Sequence, residues 1–374
     1  MQDLFFPPRD PQTDGQLQRR RGQPRAPIVN AGNSRRATWD KLTIPKVTVV
    51  IAAYNVARFI RQSVESALAQ SLNNIEVIVI DDGSTDNTQS ILQTLSDHRL
   101  VLLRQENSGV SAARNVGLAL ARSPYVFFLD GDDILTPDAL ACMVATLEHM
   151  PERIACFGHH IKISEDGAEL STRSYLRWKM FPAGDTLRNL ISKNFISGAI
   201  CVRTEAARAI GGFNAALSLG EDWEFWCRLA TLGDFVAMPD EVILFYRQRF
   251  SSASYKLRES PVRPNCEAID AIYANPTIRQ CFSPAELTRR RRLAEIDSFW
   301  AGARNQYVQG QMLGFLAYLA IGALRYPDSI LRPRLVYLFF RGLKQHVNRT
   351  AHSRDKSSFA GTIGHGAHNQ GVEP

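Results

Sequence analysis

Three carboxylates lie within four positions in the stretch FLDGDD, residues 128–133. Asp130, Asp132 and Asp133 follow an apolar run typical of a buried strand, so their charges meet at one strand tip. Carboxylates at low dielectric repel each other unless a cation binds or one takes up a proton. Oxygen ligands at alternate positions of a turn suit Mg²⁺ or Mn²⁺, which also bind water and substrate phosphate. The alternative is a solvated acidic turn in which Asp133 or Asp138 caps the next helix.

The elements around this stretch alternate between strand and helix patterns. Four apolar runs begin at Val47, Ile75, Arg99 and Tyr125, and each is followed by a segment with helical character. This order predicts an α/β fold with a mostly parallel, Rossmann-like central sheet flanked by helices. Ligands bind beyond the carboxyl ends of such strands. The turns AAYN, DDGS and DGDD follow the first, second and fourth strands, so we expect them to line one crevice.

The composition is that of an ordinary globular protein, with 45% apolar and 22% charged residues over 374 positions. The net charge of +7 favours anionic partners such as phosphates or phospholipid headgroups. The basic residues accompany neither a zinc-finger spacing nor an RNA-binding aromatic signature, so we expect no nucleic-acid partner.

Cellular location is predicted from the cysteines and the apolar segments. The six cysteines lie far apart without a C-x-x-C pair, as is typical of small core residues in a reducing compartment. The N-terminus lacks the apolar run of a secretory signal peptide. The longest apolar stretch, 312–324, is shorter than the roughly 20 residues of a spanning helix and predicts a buried or interfacial helix. We therefore expect a cytoplasmic protein.

Several motifs follow one another between residues 47 and 254: VTVVIAAYN (47–55), VIVIDDGSTDNT (77–88), NSGVSAARNVGL (107–118), FLDGDDILTPD (128–138), ISGAICVRTEAARAIGGFN (196–214), GEDWEFWCRLA (220–230) and ILFYRQRFSSAS (243–254). In this order they make the chain resemble glycosyltransferase family 2, the inverting enzymes of the GT-A fold.

The resemblance implies metal-dependent transfer of a sugar from a nucleotide diphosphate, UDP being the expected carrier, to a hydroxyl group. Mn²⁺ or Mg²⁺ is the implied cofactor, and a glycan or lipid-linked molecule is the implied acceptor. The setting would be the synthesis of cell-surface polysaccharide, lipopolysaccharide or glycoconjugate. The Q-x-x-R-W motif of processive synthases is absent, so we expect single additions.

The resemblance also divides the chain. A disordered basic arm is expected over 1–44, followed by the catalytic domain over 45–255. Within that domain, 45–150 would bind the nucleotide sugar and 151–255 the acceptor. A helical region over 256–348 and a disordered tail over 349–374 complete the prediction.

Nucleotide and metal contacts are implied where residues match the family motifs. Ala52 and Tyr54 lie in the turn after strand one, where the family stacks a ring on the base, and Asp82 matches the residue that binds uracil. Asp130 and Asp132 match the D-x-D that meets the metal and the sugar diphosphate, with Asp132 the more direct ligand. A tyrosine at a strand edge and an Asx turn are the alternatives for Tyr54 and Asp82.

The catalytic base is implied to be Asp222, which would take a proton from the acceptor hydroxyl. Glu221 is expected to contact the acceptor or support the site, and Trp223 belongs to an aromatic helix that can exclude water. The alternative is a helix N-terminus that prefers acids for reasons of its dipole.

Three arginines are candidates for phosphate contact. Arg114 follows the NSG turn, and Arg247 and Arg249 lie in YRQRFSS, where many relatives have histidine at the position of Arg249. That change keeps a cation and loses a titrating group. An exposed helix arginine and a solvated strand are the alternatives.

Two other functions and one further partner stay open. A nucleotidyltransferase acting on sugar phosphates also places acids at strand ends, but it usually has a Gly-rich loop that AAYNVARF lacks. The second alternative is a non-catalytic protein that binds nucleotide sugars. Basic and apolar segments at 289–300, 312–324 and 331–346 indicate either peripheral contact with the inner face of the membrane or ordinary helix packing.

Overall fold

The computed structural model describes residues 44–170, 185–196, 198–249, 266–308 and 310–330. The predicted tail over 349–374 and all but one residue of the predicted arm over 1–44 lie outside these ranges. So does the basic and apolar segment 331–346.

The central element is a sheet of eight strands in the order β3-β2-β1-β4-β7-β6-β8-β5. Its strands are β1 (Val47–Ala53), β2 (Ile75–Asp81), β3 (Leu100–Arg104), β4 (Tyr125–Asp130), β5 (Ile134–Leu135), β6 (Ala155–Ile163), β7 (Ile200–Arg203) and β8 (Phe235–Arg247). The first four strands are parallel to one another, whereas β7 is antiparallel to both β4 and β6. The α/β fold predicted from the alternating pattern is confirmed.

Helices connect and cover the strands. Those of the first part are α1 (Ile60–Leu68), α2 (Thr88–Gln93), α3 (Val110–Leu120), α4 (Ala139–His149), α5 (Thr186–Leu190), α6 (Thr204–Ala209) and α7 (Glu221–Leu229). Those of the second part are α8 (Cys266–Ala274), α9 (Pro276–Gln280), α10 (Pro284–Val308), α11 (Met312–Arg325) and α12 (Pro327–Ile330).

The core lies on both faces of the sheet because successive strand residues point to opposite sides. In β4, Phe127 and Leu129 join the cluster that includes α1 and α4, whereas Val126 and Phe128 join the cluster that includes α7. A strand buried on both faces needs the unbroken apolar run that YVFFL supplies. The tip of β4 is thereby held between two packed layers.

The C-terminal helices form a small core of their own. Helices α10 and α11 pack through aromatic residues that include Phe299, Trp300 and Tyr318. Within the described ranges, no helix combines the length and apolarity needed to cross a membrane. Of the five cysteines described with a free thiol, Cys281 is exposed, which differs from the core position expected of it.

Candidate active site

The carboxyl ends of β1, β2 and β4 meet at one edge of the sheet, as the pattern predicted. In the parallel register Ala53 lies beside Asp81, and Ala52 lies beside Asp130. The Asp82 amide donates a hydrogen bond of 2.8 Å to the Ala53 carbonyl. Ala52 itself is partly buried and packs beneath this edge.

The turn after β1 exposes the Tyr54 ring. Tyr54 is 47% exposed, and the next residue, Asn55, has a left-handed φ of 51°. Asparagine tolerates this conformation, and here its side-chain oxygen accepts hydrogen bonds from the amides of Thr85 (2.8 Å) and Asp86 (3.3 Å). The DDGSTD loop therefore fixes the turn and leaves the tyrosine face open for a stacked ring.

Asp82 is buried and holds the loop that leads into α3. Its carboxylate accepts hydrogen bonds from Gln105 Nε2 (2.7 Å) and from the amides of Ser108 and Gly109 (2.9 Å each). Gly83 between the two loops has a φ of 73°, and a Cβ there would lie 2.7 Å from the Asn107 amide. The D-D-G sequence thus allows a close approach of two backbones.

The acids at the tip of β4 are each held by an arginine. Asp130 accepts a hydrogen bond of 2.6 Å from Arg114, and Asp132 accepts one of 2.5 Å from Arg249 Nε. Asp133 accepts a hydrogen bond of 2.8 Å from the amide of Arg247. Asp133 therefore anchors the end of β8 to the turn after β4.

Burial raises the pKa of two of these acids, Asp132 and Asp133. It raises the pKa of Asp132, although the charge of Arg249 opposes that change. It raises the pKa of Asp133 well above its ordinary value, and the charges of Asp132 and Asp130 add to the effect. Repulsion among the carboxylates thus contributes to the higher pKa of Asp133, and Arg249 opposes the increase in the pKa of Asp132.

The donor set fits a hard divalent cation that has other ligands. In the described part of the chain, no group of three or more histidine, cysteine, aspartate or glutamate side chains is assembled for a metal. Asp130 and Asp132 supply two carboxylates, and the Asp130 side chain is 45% exposed. Mg²⁺ and Mn²⁺ commonly use one or two carboxylates together with water and substrate phosphate. The fit therefore depends on a phosphorylated ligand.

Arg114 differs from both sequence-based expectations, because it is neither an exposed helix residue nor open to solvent phosphate. Its side chain is 10% exposed and bridges Asp130 (2.6 Å) and Glu221 (3.1 Å). Burial alone would lower the pKa of Arg114, but the charges of these two acids raise it above its ordinary value. The bridge brings the tip of β4 and the start of α7 together.

Asp222 lies partly buried in the first turn of α7. Its carboxylate accepts hydrogen bonds from the Trp223 amide (2.6 Å) and from Asn194 Nδ2 (3.4 Å). Burial raises the pKa of Asp222, and the charge of Arg114 lowers it. Burial likewise raises the pKa of Glu221, and the charge of Asp222 adds to this. The Trp223 ring is buried and donates to the Leu190 carbonyl (2.7 Å).

Arg247 and Arg249 differ in what they contact. Arg247 is buried and uses its guanidinium on the carbonyls of Asp132 (2.9 Å) and Glu165 (2.7 Å) and on the Gln62 side chain (2.7 Å). This pattern is that of a structural clamp. Arg249 contacts the acidic tip directly through Asp132.

Three residues of the site were not predicted from the sequence: Arg58, Phe59 and Asn194. Arg58, Arg247 and Arg249 surround the Phe59 ring, with guanidinium carbons 5.4, 4.9 and 5.5 Å from its centre. Neither Arg58 nor Phe59 belongs to a motif that chemistry alone selects. Asn194 is a loop residue, and its contact with Asp222 has no local sequence signal.

Comparisons with known proteins agree with this geometry. The "Glycosyl transferase family 2" profile matches residues 48–211. The chain is 32% identical over 197 residues to chondroitin synthase of Escherichia coli, covering 51% of this chain and 27% of that protein. It is 29% identical over 273 residues to succinoglycan biosynthesis protein ExoO of Rhizobium meliloti, covering 68% and 76%. The chain thus spans about a quarter of the length of the first relative.

Two solved structures have a similar fold. S. aureus TarS 1–349 in complex with UDP aligns with a TM-score of 0.52 and 20% identity, covering 80% of this chain and 88% of that one. Mannosyltransferase PcManGT from Pyrobaculum calidifontis, in complex with GDP-Man and Mn²⁺, aligns with a TM-score of 0.50 and 21% identity, covering 81% and 87%.

The mostly parallel sheet with acids at its carboxyl edge has the GT-A fold of these neighbours. The matched profile and the named relatives then place residues 48–211 in glycosyltransferase family 2. The family predicted from the motifs is confirmed.

Proposed function

We propose that the protein transfers a sugar from a nucleotide diphosphate, UDP being the carrier, to a hydroxyl group of a glycan or lipid-linked acceptor. The product would belong to a cell-surface polysaccharide, lipopolysaccharide or glycoconjugate. The observation that carries this proposal is the meeting of Asp130, on the donor side, with the first turn of α7 across Arg114. A TarS structure containing UDP and a chondroitin synthase relative support the choice of donor and product class.

The donor half binds the nucleotide in this proposal. The exposed ring of Tyr54 stacks on the base, and Asp82 binds uracil through capacity left by its loop contacts. Asp130 and Asp132 would hold a Mg²⁺ or Mn²⁺ ion, which would supply positive charge for the diphosphate leaving group. Arg249 lies beside Asp132 and contacts the diphosphate.

The acceptor half supplies the base. Asp222 takes the proton of the acceptor hydroxyl while that oxygen forms its bond to the anomeric carbon. The bond from that carbon to the diphosphate breaks on the opposite side, so the configuration inverts. Glu221 supports the acceptor side of the site, and we infer single additions.

Binding and turnover of nucleotide sugars test the proposal. We expect UDP-sugars to raise the melting temperature in the presence of Mn²⁺, and expect Asp132→Ala to lower Mn²⁺-dependent turnover about a hundredfold because the leaving diphosphate loses its counterion. Calorimetry with UDP should show a weaker Mn²⁺-dependent affinity in the same variant. Asp138→Ala removes an exposed acid eight residues after Asp130 and serves as the matched control.

Separate results would contradict the function and the metal assignment. If no nucleotide sugar binds the wild-type protein, the function is wrong. If Mn²⁺ changes neither binding nor turnover, or Asp138→Ala loses as much as Asp132→Ala, the metal assignment is wrong.

We further propose peripheral contact with the inner face of a membrane, with the protein otherwise in the cytoplasm. The exposed apolar side of α11, together with a net charge of +7, supports this placement.

A further inference from the structure

Arg114 occupies the boundary between the donor half and the acceptor half of the site. It lies on α3, its Nη2 is 2.6 Å from Asp130 at the tip of β4, and its Nη1 is 3.1 Å from Glu221 at the start of α7. We propose that Arg114 is a positioning residue that sets the base-bearing turn of α7 against the metal-binding tip of β4. This inference rests on the function proposed above.

The shape of the guanidinium suits this task. Its two terminal nitrogens lie in one plane and point in fixed directions, so one side chain can hold two carboxylates at a fixed separation. An ammonium group is a point charge and does not define that separation. Both terminal nitrogens of Arg114 are bound to protein carboxylates. Arg114 therefore acts on the substrate through Asp130 and α7, not by direct phosphate contact.

A stack of aromatic rings fixes Arg114 from the other side. The guanidinium carbon lies 5.2 Å from the centre of the Phe213 ring. Phe213 stacks on Phe225 of α7, with ring centres 4.0 Å apart and planes 8° apart. The arginine is therefore tied to α7 both by charge and by packing.

The charge of Arg114 also acts on the base. The charged and titratable groups that influence Asp222 are Arg114 from α3, Asp130 from β4, and Glu221 and Cys227 from α7 itself. Burial raises the pKa of Asp222, and Arg114 is the cation that lowers it. Without that cation, the carboxylates of Asp130, Glu221 and Asp222 would lie near one another with no arginine between them, and Asp222 would hold its proton to higher pH.

The test compares Arg114→Met and Arg114→Lys with the wild-type enzyme, using Mn²⁺, UDP and the UDP-sugar that the wild-type enzyme turns over. We expect Arg114→Met to lower kcat about a hundredfold while the Kd for UDP changes less than about threefold. The acid limb of its kcat/KM profile should move to higher pH. Arg114→Lys should keep the acid limb near that of the wild type, because the positive charge remains. Its kcat should fall about tenfold, because the ammonium group lacks the two fixed donor directions of the guanidinium.

Arg228→Met is the matched control. Arg228 is also largely shielded from solvent, with its side chain 14% exposed, it is ion-paired to Glu224 at 2.6 Å, and it lies on α7. Its loss should lower the melting temperature without moving the acid limb, since Arg228 binds Glu224 and the carbonyls of Ile210 and Gly212.

A double-mutant cycle with Glu221→Gln, read by thermal unfolding, keeps the result independent of turnover. We expect the two substitutions to be non-additive because they share one contact. Additive effects of the two substitutions on unfolding would show that Arg114 and Glu221 do not interact, and would overturn the proposed bridge. An acid limb that stays in place in Arg114→Met, or a UDP affinity that falls by the same factor as kcat/KM, overturns the positioning role and makes Arg114 a donor ligand. Failure of the proposed function is distinct, because the wild-type enzyme would then turn over no nucleotide sugar.

Discussion

At the scale of single residues, the site is a set of acids, exposed to different degrees, whose charges are balanced by arginines from distant parts of the chain. Asp130 and Glu221 are each paired with Arg114, and Asp132 is paired with Arg249. Removing one partner of an ion pair that is shielded from water leaves a charge without a counter-charge. This destabilises a protein more than replacing both partners by apolar residues. The acids therefore depend on the arginines for their position.

Asp222 gives the clearest prediction about pH. A base works only when ionised, so turnover should fall as the pH drops through the pKa of Asp222. Because burial raises that pKa, the loss should begin at a higher pH than an exposed aspartate would show. Asp222→Asn should lower kcat about 10²- to 10⁴-fold, remove this acid limb and leave UDP binding intact. The measurements are kcat/KM against pH and calorimetry with UDP.

Asp240→Asn, which changes an exposed acid of β8, is the control for the same chemical change. Near-normal turnover by Asp222→Asn with a defined acceptor would show that another group is the base.

The residues of the acidic tip could be predicted because their signal is local. Asp130, Asp132 and Asp133 follow a strand pattern within a few positions. The partners could not be predicted, because Arg114 and Glu221 are 107 positions apart and no periodicity links them. Asp82 was predicted to contact the uracil ring of the nucleotide, and its carboxylate also accepts hydrogen bonds from the amides of Ser108 and Gly109.

At the scale of elements, the strands with long apolar runs were predictable and the short ones were not. Strands β1, β2 and β4 each have six or seven residues, nearly all of them buried. Strand β5 has two residues and β7 has four, and both pair antiparallel within the sheet. Segments this short carry too little pattern, so tertiary pairing decides them.

Helix α3 must approach β1 closely to bring Arg114 to the site. Gly117 of α3 faces Val50, and a Cβ at position 117 would lie 2.9 Å from Val50 Cγ2. Alanine normally stabilises a helix relative to glycine by about 1 kcal/mol, but overpacking costs about 1–3 kcal/mol. The difference is a net cost of up to about 2 kcal/mol, so we expect Gly117→Ala to lower the free energy of unfolding by up to that amount in a urea titration.

Ala119→Leu adds a larger group on the exposed side of the same helix and should change stability by less than about 0.5 kcal/mol. Stabilisation by Gly117→Ala would show that the contact between α3 and β1 is loose and that Arg114 is positioned by its ion pairs alone.

At the scale of the whole molecule, the C-terminal helices present an apolar surface that the catalytic part does not cover. One side of α11 packs on α10 through Phe315 and Tyr318. The other side is exposed and is apolar up to Leu324, comprising Leu313, Leu316, Ala317, Ala320, Ala323 and Leu324; Arg325, also exposed, ends the helix. Leu313 and Leu324 are 86% and 88% exposed. A helix with two apolar sides needs a second apolar environment.

An anionic bilayer suits this surface better than a second copy of the chain. Six side chains are far fewer than the roughly 20–30 residues on each side of a stable protein interface. Charged residues are absent from Met312 to Leu324, so the helix can lie in the boundary between headgroups and acyl chains. The net charge of +7 adds attraction to anionic lipids.

Replacement of both Leu313 and Leu324 by glutamate should therefore reduce binding to vesicles. Each leucine contributes about 1.5–3 kcal/mol when it leaves water, so sedimentation with phosphatidylglycerol vesicles at low salt should fall at least tenfold. The double change of Leu120 and Leu232 to glutamate alters the same net charge at exposed leucines of the catalytic part and should retain most of the binding. Equal binding by the two variants would mean that charge alone attracts the protein. Loss of self-association in the Leu313 and Leu324 variant, without vesicle binding by the wild type, would identify a second copy as the partner, because the same apolar side would then be covered by protein instead of lipid.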